Sequence, residues 1–283
     1  MCLHKTGWWS IKGAMIKVEF AQDWAPIFAG AGLKSFEDFF AYASGQVIGK
    51  NRKREVIAMT LDSKGGKKEF FIKRFFRPHL KDMPFTIRNF GKLCSQAGCE
   101  WKNIDILLRQ GVATYRPVCY GEQIHFGLER KSFIITEKIK GLAMTDFVAS
   151  YWPRLGYEQK EKLIIALAKF VGRIHNAKII LPDLYLWHIF ITKTPPADDI
   201  TEDDFAVIDL HRMRINASDK KARIKDLGAL DFSMSDKYFD EGIREVFLDA
   251  YINTGRREQK NSVLRGIRNR SQKLSCRRRK PNY

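Results

Sequence analysis

The sequence predicts an α+β protein: a first half built on antiparallel sheet with one long helix, and a mainly helical second half. Three observations predict it. Strand-type runs at 55–62 and 69–76 flank Gly65-Gly66, a hairpin signature. Leu163, Leu167, Phe170, Val171 and Ile174 fall on one stripe of a helix over 158–176. Short apolar runs at 189–191 and 205–208 adjoin two carboxylates, Asp183 and Asp209.

A chain of 283 residues is long enough to bury a sizeable core. Its one extreme property is a net charge of +18, which calls for an anionic partner: nucleic acid, an anionic membrane surface or a phosphorylated substrate. No helix-turn-helix, zinc-finger or RNP pattern accompanies that charge, so nucleic acid is not the expected partner. No 18-residue apolar run occurs, and the opening MCLHKTGWWSIKG lacks an apolar signal core and cleavage site. Cys2, Cys94, Cys99, Cys119 and Cys276 are odd in number and scattered, as expected of reduced thiols in a cytosolic protein rather than a zinc site.

Taken in order, residues 1–30 show no clear period and receive no assignment. Residues 34–42 suit a short helix with Phe36, Phe39 and Phe40 on one face. The stretch SGQVIGKNRKREV has two glycines and a basic cluster but is neither a Walker A loop nor G-x-G-x-x-G, so only its position suggests a phosphate-covering loop. On the 69–76 run, Phe71, Lys73 and Phe75 share a face. A lysine there either meets an anionic partner or snorkels at a sheet edge. Residues 92–110 read as a helix with Leu93, Ala97, Trp101, Ile104 and Leu108 at helical spacing, Gly111 as its stop, and Glu100 leaning toward the apolar face. Segments 112–118 and 131–139 continue the sheet, the latter ending at Lys140-Gly141. His175 closes the 158–176 helix and reads as structural. A further helix starts near Lys225-Asp226. From Arg256 the chain carries eleven Lys/Arg and one Glu. That tail is either solvated and partly disordered or a polybasic membrane contact, each basic residue contributing roughly 1 kcal/mol near anionic lipid.

The two carboxylates carry the chemistry. Phosphoryl transfer of the protein-kinase kind uses one acid to orient and deprotonate the attacking hydroxyl, and a second to hold Mg²⁺ on the nucleotide phosphates. Kinases write this as H-R-D-x-x-x-x-N followed by D-F-G. Here Asp183 occupies the first Asp position, His188 the Asn position, and Asp209-Leu210-His211 stands for D-F-G. Lys73 and Glu100 precede them in the order of the lysine–glutamate pair that positions ATP phosphates. The runs F-F-I-K-R (70–74), C-E-W (99–101), S-F-I-I-T-E (132–137), D-L-Y-L-W-H-I-F (183–190) and I-D-L-H-R (208–212) resemble the lipopolysaccharide core heptose kinases, over about 36–251.

That resemblance implies a bilobal protein-kinase-like fold, with an N-lobe of antiparallel sheet plus one helix at 1–139, a mainly helical C-lobe at 140–255 and a basic tail at 256–283. It implies ATP- and Mg²⁺-dependent phosphorylation of an inner-core heptose on a lipid-anchored saccharide. The work would be done peripherally, on the inner face of the bacterial inner membrane, with the basic tail on the anionic surface. It assigns Asp183 as the catalytic acid–base group, Asp209 and His188 to the metal, Lys73 and Glu100 to the nucleotide phosphates, and Glu137 and Ile139 to the adenine hinge. Asp226 would brace the catalytic loop; a plain helix N-terminal acid is the other reading. For His188, the other readings are a hydrogen bond to Asp183 or the loop backbone, and packing between Trp187 and Ile189.

Two departures stand out. Leu181-Pro182 replaces the His-Arg of kinases, so regulation through an arginine on a phosphorylated segment is not expected. The phosphate-covering loop is also poorly matched. The alternatives are a different glycan or small hydroxyl acceptor, or an inactive scaffold. Retention of Lys73, Glu100, Asp183 and Asp209 argues against the scaffold.

Overall fold

The alternation around Gly65-Gly66 folds as the centre of a seven-stranded sheet, in a computed structural model that describes residues 5–11, 14–63, 66–76, 83–193, 199–255, 259–279 and 282–283. The chain divides into two units, residues 1–106 with 115–138, and residues 107–114 with 139–283.

The first unit contains β1 (Lys5–Ile11), β2 (Ala14–Phe20), α1 (Ala25–Gly30), α2 (Phe36–Ala41), β3 (Gln46–Lys50), β4 (Arg54–Ser63), β5 (Gly66–Phe75), α3 (Met83–Phe90), α4 (Gln96–Arg109), β6 (Pro117–His125) and β7 (Leu128–Glu137). The sheet order is β1-β2-β6-β7-β5-β4-β3, antiparallel throughout. β4 and β5 pair from Arg54↔Phe75 to Ser63↔Gly66, while Gly65 itself lies outside the described residues. Within the stretch 1–30, unassigned from sequence, 5–11 and 14–20 supply the antiparallel edge pair β1–β2, and 25–30 supply α1.

β5 is more buried than a half-buried strand. Phe70 and Ile72 pack with Phe28, Phe36 and Phe39 of α1 and α2, and the opposite face carries Lys73 toward α4. Helices on both faces explain why Arg74 is buried as well. Each of those phenylalanines contributes on the order of 2 kcal/mol by burial.

Helix α4 starts at Gln96 rather than Lys92, and Leu93 and Leu108, expected on its stripe, are exposed. Capping sets the start. The backbone N–H of Gln96 donates to Glu129 (3.0 Å), that of Ala97 to the Ser132 hydroxyl (3.3 Å) and that of Gly98 to the Ser95 hydroxyl (2.9 Å). Ala97, Cys99, Trp101 and Ile104 form the buried side. The strand expected at 112–118 is also displaced: β6 begins at Pro117, and Thr114 makes only an isolated bridge to Val207.

The second unit contains β8 (Leu142–Ala143), α5 (Met144–Tyr151), α6 (Tyr157–Asn176), β9 (Ile189–Ile191), β10 (Phe205–Val207), α7 (Lys220–Ser233), α8 (Glu241–Ile252) and α9 (Lys260–Ser275). The α6 stripe from Leu163 to Ile174 is buried as its period requires. β8, β9 and β10 form a small antiparallel sheet in the order β10-β9-β8. Gly141, at φ +147°, enters it where a Cβ would lie 2.2 Å from the Ile191 carbonyl oxygen, so only glycine fits.

The described part of the segment 256–283 is not a solvated tail. Its residues 260–275 form α9, which packs on α7 and buries Val263, Ile267 and Leu274. These apolar residues are sparse, but their i, i+4, i+11 spacing puts them on one side. Residues 256–258 and 280–281 lie outside the described residues. Among the described residues, no helix is long and apolar enough to cross a membrane.

Candidate active site

The candidate groups fall in both units. In the first, β5 holds Lys73 between Val56 and Ile134 on the neighbouring strands. The Lys73 ammonium donates to Glu100 Oε2 at 2.9 Å and Oε1 at 3.3 Å. Glu100 is 2% exposed and also accepts from the Tyr115 hydroxyl. Of the two readings open for Lys73, the ion pair is the one observed. The β3–β4 turn is closed by Asn51, whose side chain accepts from the N–H groups of Lys53 and Arg54, at 2.8 and 2.9 Å. Lys50 reaches back 2.9 Å to the buried Glu55, which also binds Arg74. The Lys50 hydrogen bond, and then Arg74, hold the Glu55 carboxyl below its usual range despite burial. Of the hinge candidates, Glu137 donates its N–H to the Arg116 carbonyl at 2.9 Å, and both it and Ile139 are half-buried.

In the second unit, backbone pairing brackets residues 181–188. Ile180 exchanges two 2.9 Å hydrogen bonds with Arg214 before the loop, and Ile208 N–H donates to the His188 carbonyl at 2.9 Å after it. This zips β9 against β10 and delivers Asp209 beside His188. Asp209 sits in the left-handed region at φ 63°, sparsely populated for a residue with a Cβ. From α7, Asp226 accepts the Leu181 N–H at 2.6 Å and the Ser233 hydroxyl accepts the Leu186 N–H at 2.8 Å. Asp226 and Ser233 are two helical turns apart and so face the loop together. Asp226 thus braces the loop. His175, buried beneath it, lies 3.4 Å from Asp226 and hydrogen-bonds to the Tyr251 hydroxyl at 2.8 Å, a structural role. Burial pushes the Asp226 carboxyl up, against the opposing pull of His175 and the Leu181 N–H.

The reactive side chains follow from this frame. His188 Nδ1 is 2.8 Å from the Asp183 carbonyl oxygen, which can only accept, so Nδ1 carries the proton. In the neutral ring Nε2 then presents its lone pair, 3.9 Å from Asp209 Oδ2. His211 Nδ1 lies 2.9 Å from Asp209 Oδ1, and Arg212 Nη1 lies 3.3 Å from Asp183 Oδ2. Sequence reasoning gave no role to His211, Arg212 or Ser233. The first two were visible inside I-D-L-H-R, and Ser233 was signalled by its seven-residue spacing from Asp226.

The sequence model of the Lipopolysaccharide kinase (Kdo/WaaP) family matches residues 40–251. The chain belongs to this family. A lipopolysaccharide core heptose(I) kinase WaaP from Pseudomonas aeruginosa is 34% identical over 172 residues, covering 53% of this chain and 62% of that protein. A protein of the same name from Escherichia coli K12 is 30% identical over 193 residues, covering 67% and 71%. The match thus spans less than two thirds of the first of these relatives. A solved structure of WaaP in complex with acyl carrier protein superposes with a TM-score of 0.67 at 27% identity, over 88% of this chain and 96% of that one. The α+β architecture of this Kdo/WaaP family member is accordingly kinase-like.

Proposed function

We propose that the protein transfers the terminal phosphate of ATP to a heptose hydroxyl of the lipopolysaccharide inner core. The observation that carries this is the bracketed loop that holds Asp183, His188 and Asp209 in one cluster. Asp183, oriented by Arg212, accepts the proton of the acceptor hydroxyl. The alkoxide-like oxygen attacks the terminal phosphorus, the bond to the bridging oxygen breaks, and ADP leaves. Lys73, fixed by Glu100, holds nucleotide phosphates, and the backbone at Glu137–Ile139 takes the adenine edge.

The donor set at Asp209 fits a divalent ion. Asp209 Oδ2 and His188 Nε2, 3.9 Å apart, are the carboxylate and imidazole donors that would hold such an ion. Mg²⁺ keeps waters and phosphate oxygens as ligands, so two protein donors are enough to hold it. When bound, the ion neutralises charge on the phosphates. His188 is the softer donor, so Mn²⁺ should substitute well.

The acceptor is lipid-anchored in this reading, and the protein works peripherally at the inner face of the inner membrane, aided by its positive charge. An acyl carrier protein is a second expected partner, by likeness to the solved complex. ADP release should be stimulated by a heptose-containing core acceptor and not by unrelated glycans or small alcohols. Equal stimulation by those would leave a kinase of another acceptor. Purification with and without co-expressed acyl carrier protein tests the partner.

A further inference from the structure

The loop that carries Asp183 also carries Tyr185 and Trp187, whose rings stack at 4.5 Å and 10°. Tyr185 is wedged between α7 and α9 against Ala229, Phe232 and Leu274, with Trp187 half-buried beside it. Just past the end of α9, Arg278 donates to the Tyr185 hydroxyl at 3.0 Å, with its guanidinium 5.5 Å from the ring centroid. Arg270 lies on the α7 side of α9, where a Cβ on Gly228 would meet its stem at 2.5 Å. Its Nε is buried without a hydrogen-bond partner among the described residues. Burial pushes the Tyr185 phenol above its ordinary range, while the positive charges of Arg278, Arg270 and Arg212 pull it down and the Asp183 carboxylate adds to the rise. Arg212 is paired with Asp183 on this loop, and two further guanidinium groups lie nearby in the fold, Arg278 on the Tyr185 ring and hydroxyl and Arg270 against α7.

A cationic surplus of this kind needs an anion. Guanidinium forks match the paired oxygens of carboxylate or phosphate, and are more specific for them than a point charge. We propose that Arg270 and Arg278 form an oxyanion-binding subsite for the saccharide acceptor. It would hold a carboxylate or phosphate group of that saccharide beside the hydroxyl that Asp183 deprotonates. Tyr185 is its positioning residue, since its hydroxyl fixes Arg278, and the Trp187 ring forms an apolar rim. The inference rests on the proposed function in one respect: the acceptor hydroxyl reaches Asp183. It gives the basic C-terminal segment a role in acceptor recognition rather than in general membrane attraction.

The test uses the full chain and a delipidated, heptose-containing core oligosaccharide in three forms: native, with carboxylates reduced to alcohols, and with phosphates removed. Dissociation constants come from calorimetry, and acceptor and ATP KM values from ADP release. Arg278→Gln, at an exposed site, should raise the acceptor Kd and KM about tenfold or more, the loss of one charge-assisted contact, with the ATP KM unmoved. Tyr185→Phe keeps the packed ring and should weaken acceptor binding in the same direction by a smaller factor. Arg265→Gln, on the opposite side of α9 by helical period, removes the same charge and should change neither. Whichever modified oligosaccharide has lost the recognised group should bind wild type weakly and no longer distinguish wild type from Arg278→Gln. Equal binding of all three forms by wild type, or equal effects of Arg278→Gln and Arg265→Gln, would overturn the subsite. So would a variant that loses binding to anionic vesicles alone. If wild type binds the oligosaccharide without phosphorylating it, the proposed function fails and the binding arms still decide the subsite.

Discussion

Replacing Lys73 with methionine should destabilise the protein by about 3 kcal/mol, and a second substitution, Glu100→Gln, should restore most of the loss. The ammonium and carboxylate meet at 2.9 Å with side-chain exposures of 13% and 3%, so both charges are largely desolvated. Removing one partner of such a pair costs roughly 3–5 kcal/mol because the other charge stays buried. The lower end applies here: Lys73 keeps some exposure, and Tyr115 still donates to Glu100. In the double variant no charge remains to be compensated, and stability should return to within about 1 kcal/mol of wild type. Denaturant unfolding followed by tryptophan fluorescence reads both values. ADP release should be lost in single and double variant alike, because the cation proposed to hold the nucleotide phosphates is absent in each. A loss below about 1 kcal/mol, the range of a surface pair, would refute the reasoning. So would a double variant no more stable than the single one.

Four other outcomes follow from particular contacts. Burial pushes the Glu129 carboxyl up to about 7 from an ordinary 4.5, so the folded chain binds this proton more tightly than the unfolded one. The stabilisation is full below about pH 4.5 and is lost as pH rises through 7. Wild type should thus lose on the order of 3 kcal/mol relative to Glu129→Gln across that window, seen in paired denaturation curves. Asp226→Ala leaves the Leu181 N–H without its acceptor and should cost about 1–3 kcal/mol, with kcat falling while nucleotide affinity, measured by calorimetry, holds. In Gly228→Ala the new Cβ would lie 2.5 Å from Arg270 Cβ and 3.2 Å from the Ile267 carbonyl oxygen, so thermal unfolding should show a loss of about 1–3 kcal/mol. Truncation after Gly255 strips Val263, Ile267 and Leu274 from the core of the second unit and should lower Tm markedly, where a solvated tail would leave it unchanged.

Much of the candidate site was legible because its parts are local. The Asp183–His188 spacing and I-D-L-H-R are contiguous runs, and Lys73 and Glu100 could be placed on inward faces by period alone. Contacts between distant residues were not legible. Arg212 reaches Asp183 across 29 residues and Arg278 reaches Tyr185 across 93, and neither leaves a periodic trace. Helix α9 was hidden by composition, since its buried apolar residues are diluted by arginine and lysine. The start of α4 was misread because its caps, Glu129 and Ser132, come from β7 rather than from residues nearby.

The central claim, that Asp183 performs phosphate transfer to an inner-core heptose, is tested most directly by labelled phosphate. Terminally labelled ATP, Mg²⁺ and a heptose-containing core acceptor are incubated with wild type or Asp183→Asn, and label is located in the isolated saccharide. The account predicts label on a heptose with wild type, and a rate at least ~10² lower with Asp183→Asn at unchanged nucleotide affinity. Label absent from heptose with wild type, or appearing there equally fast with Asp183→Asn, would contradict it.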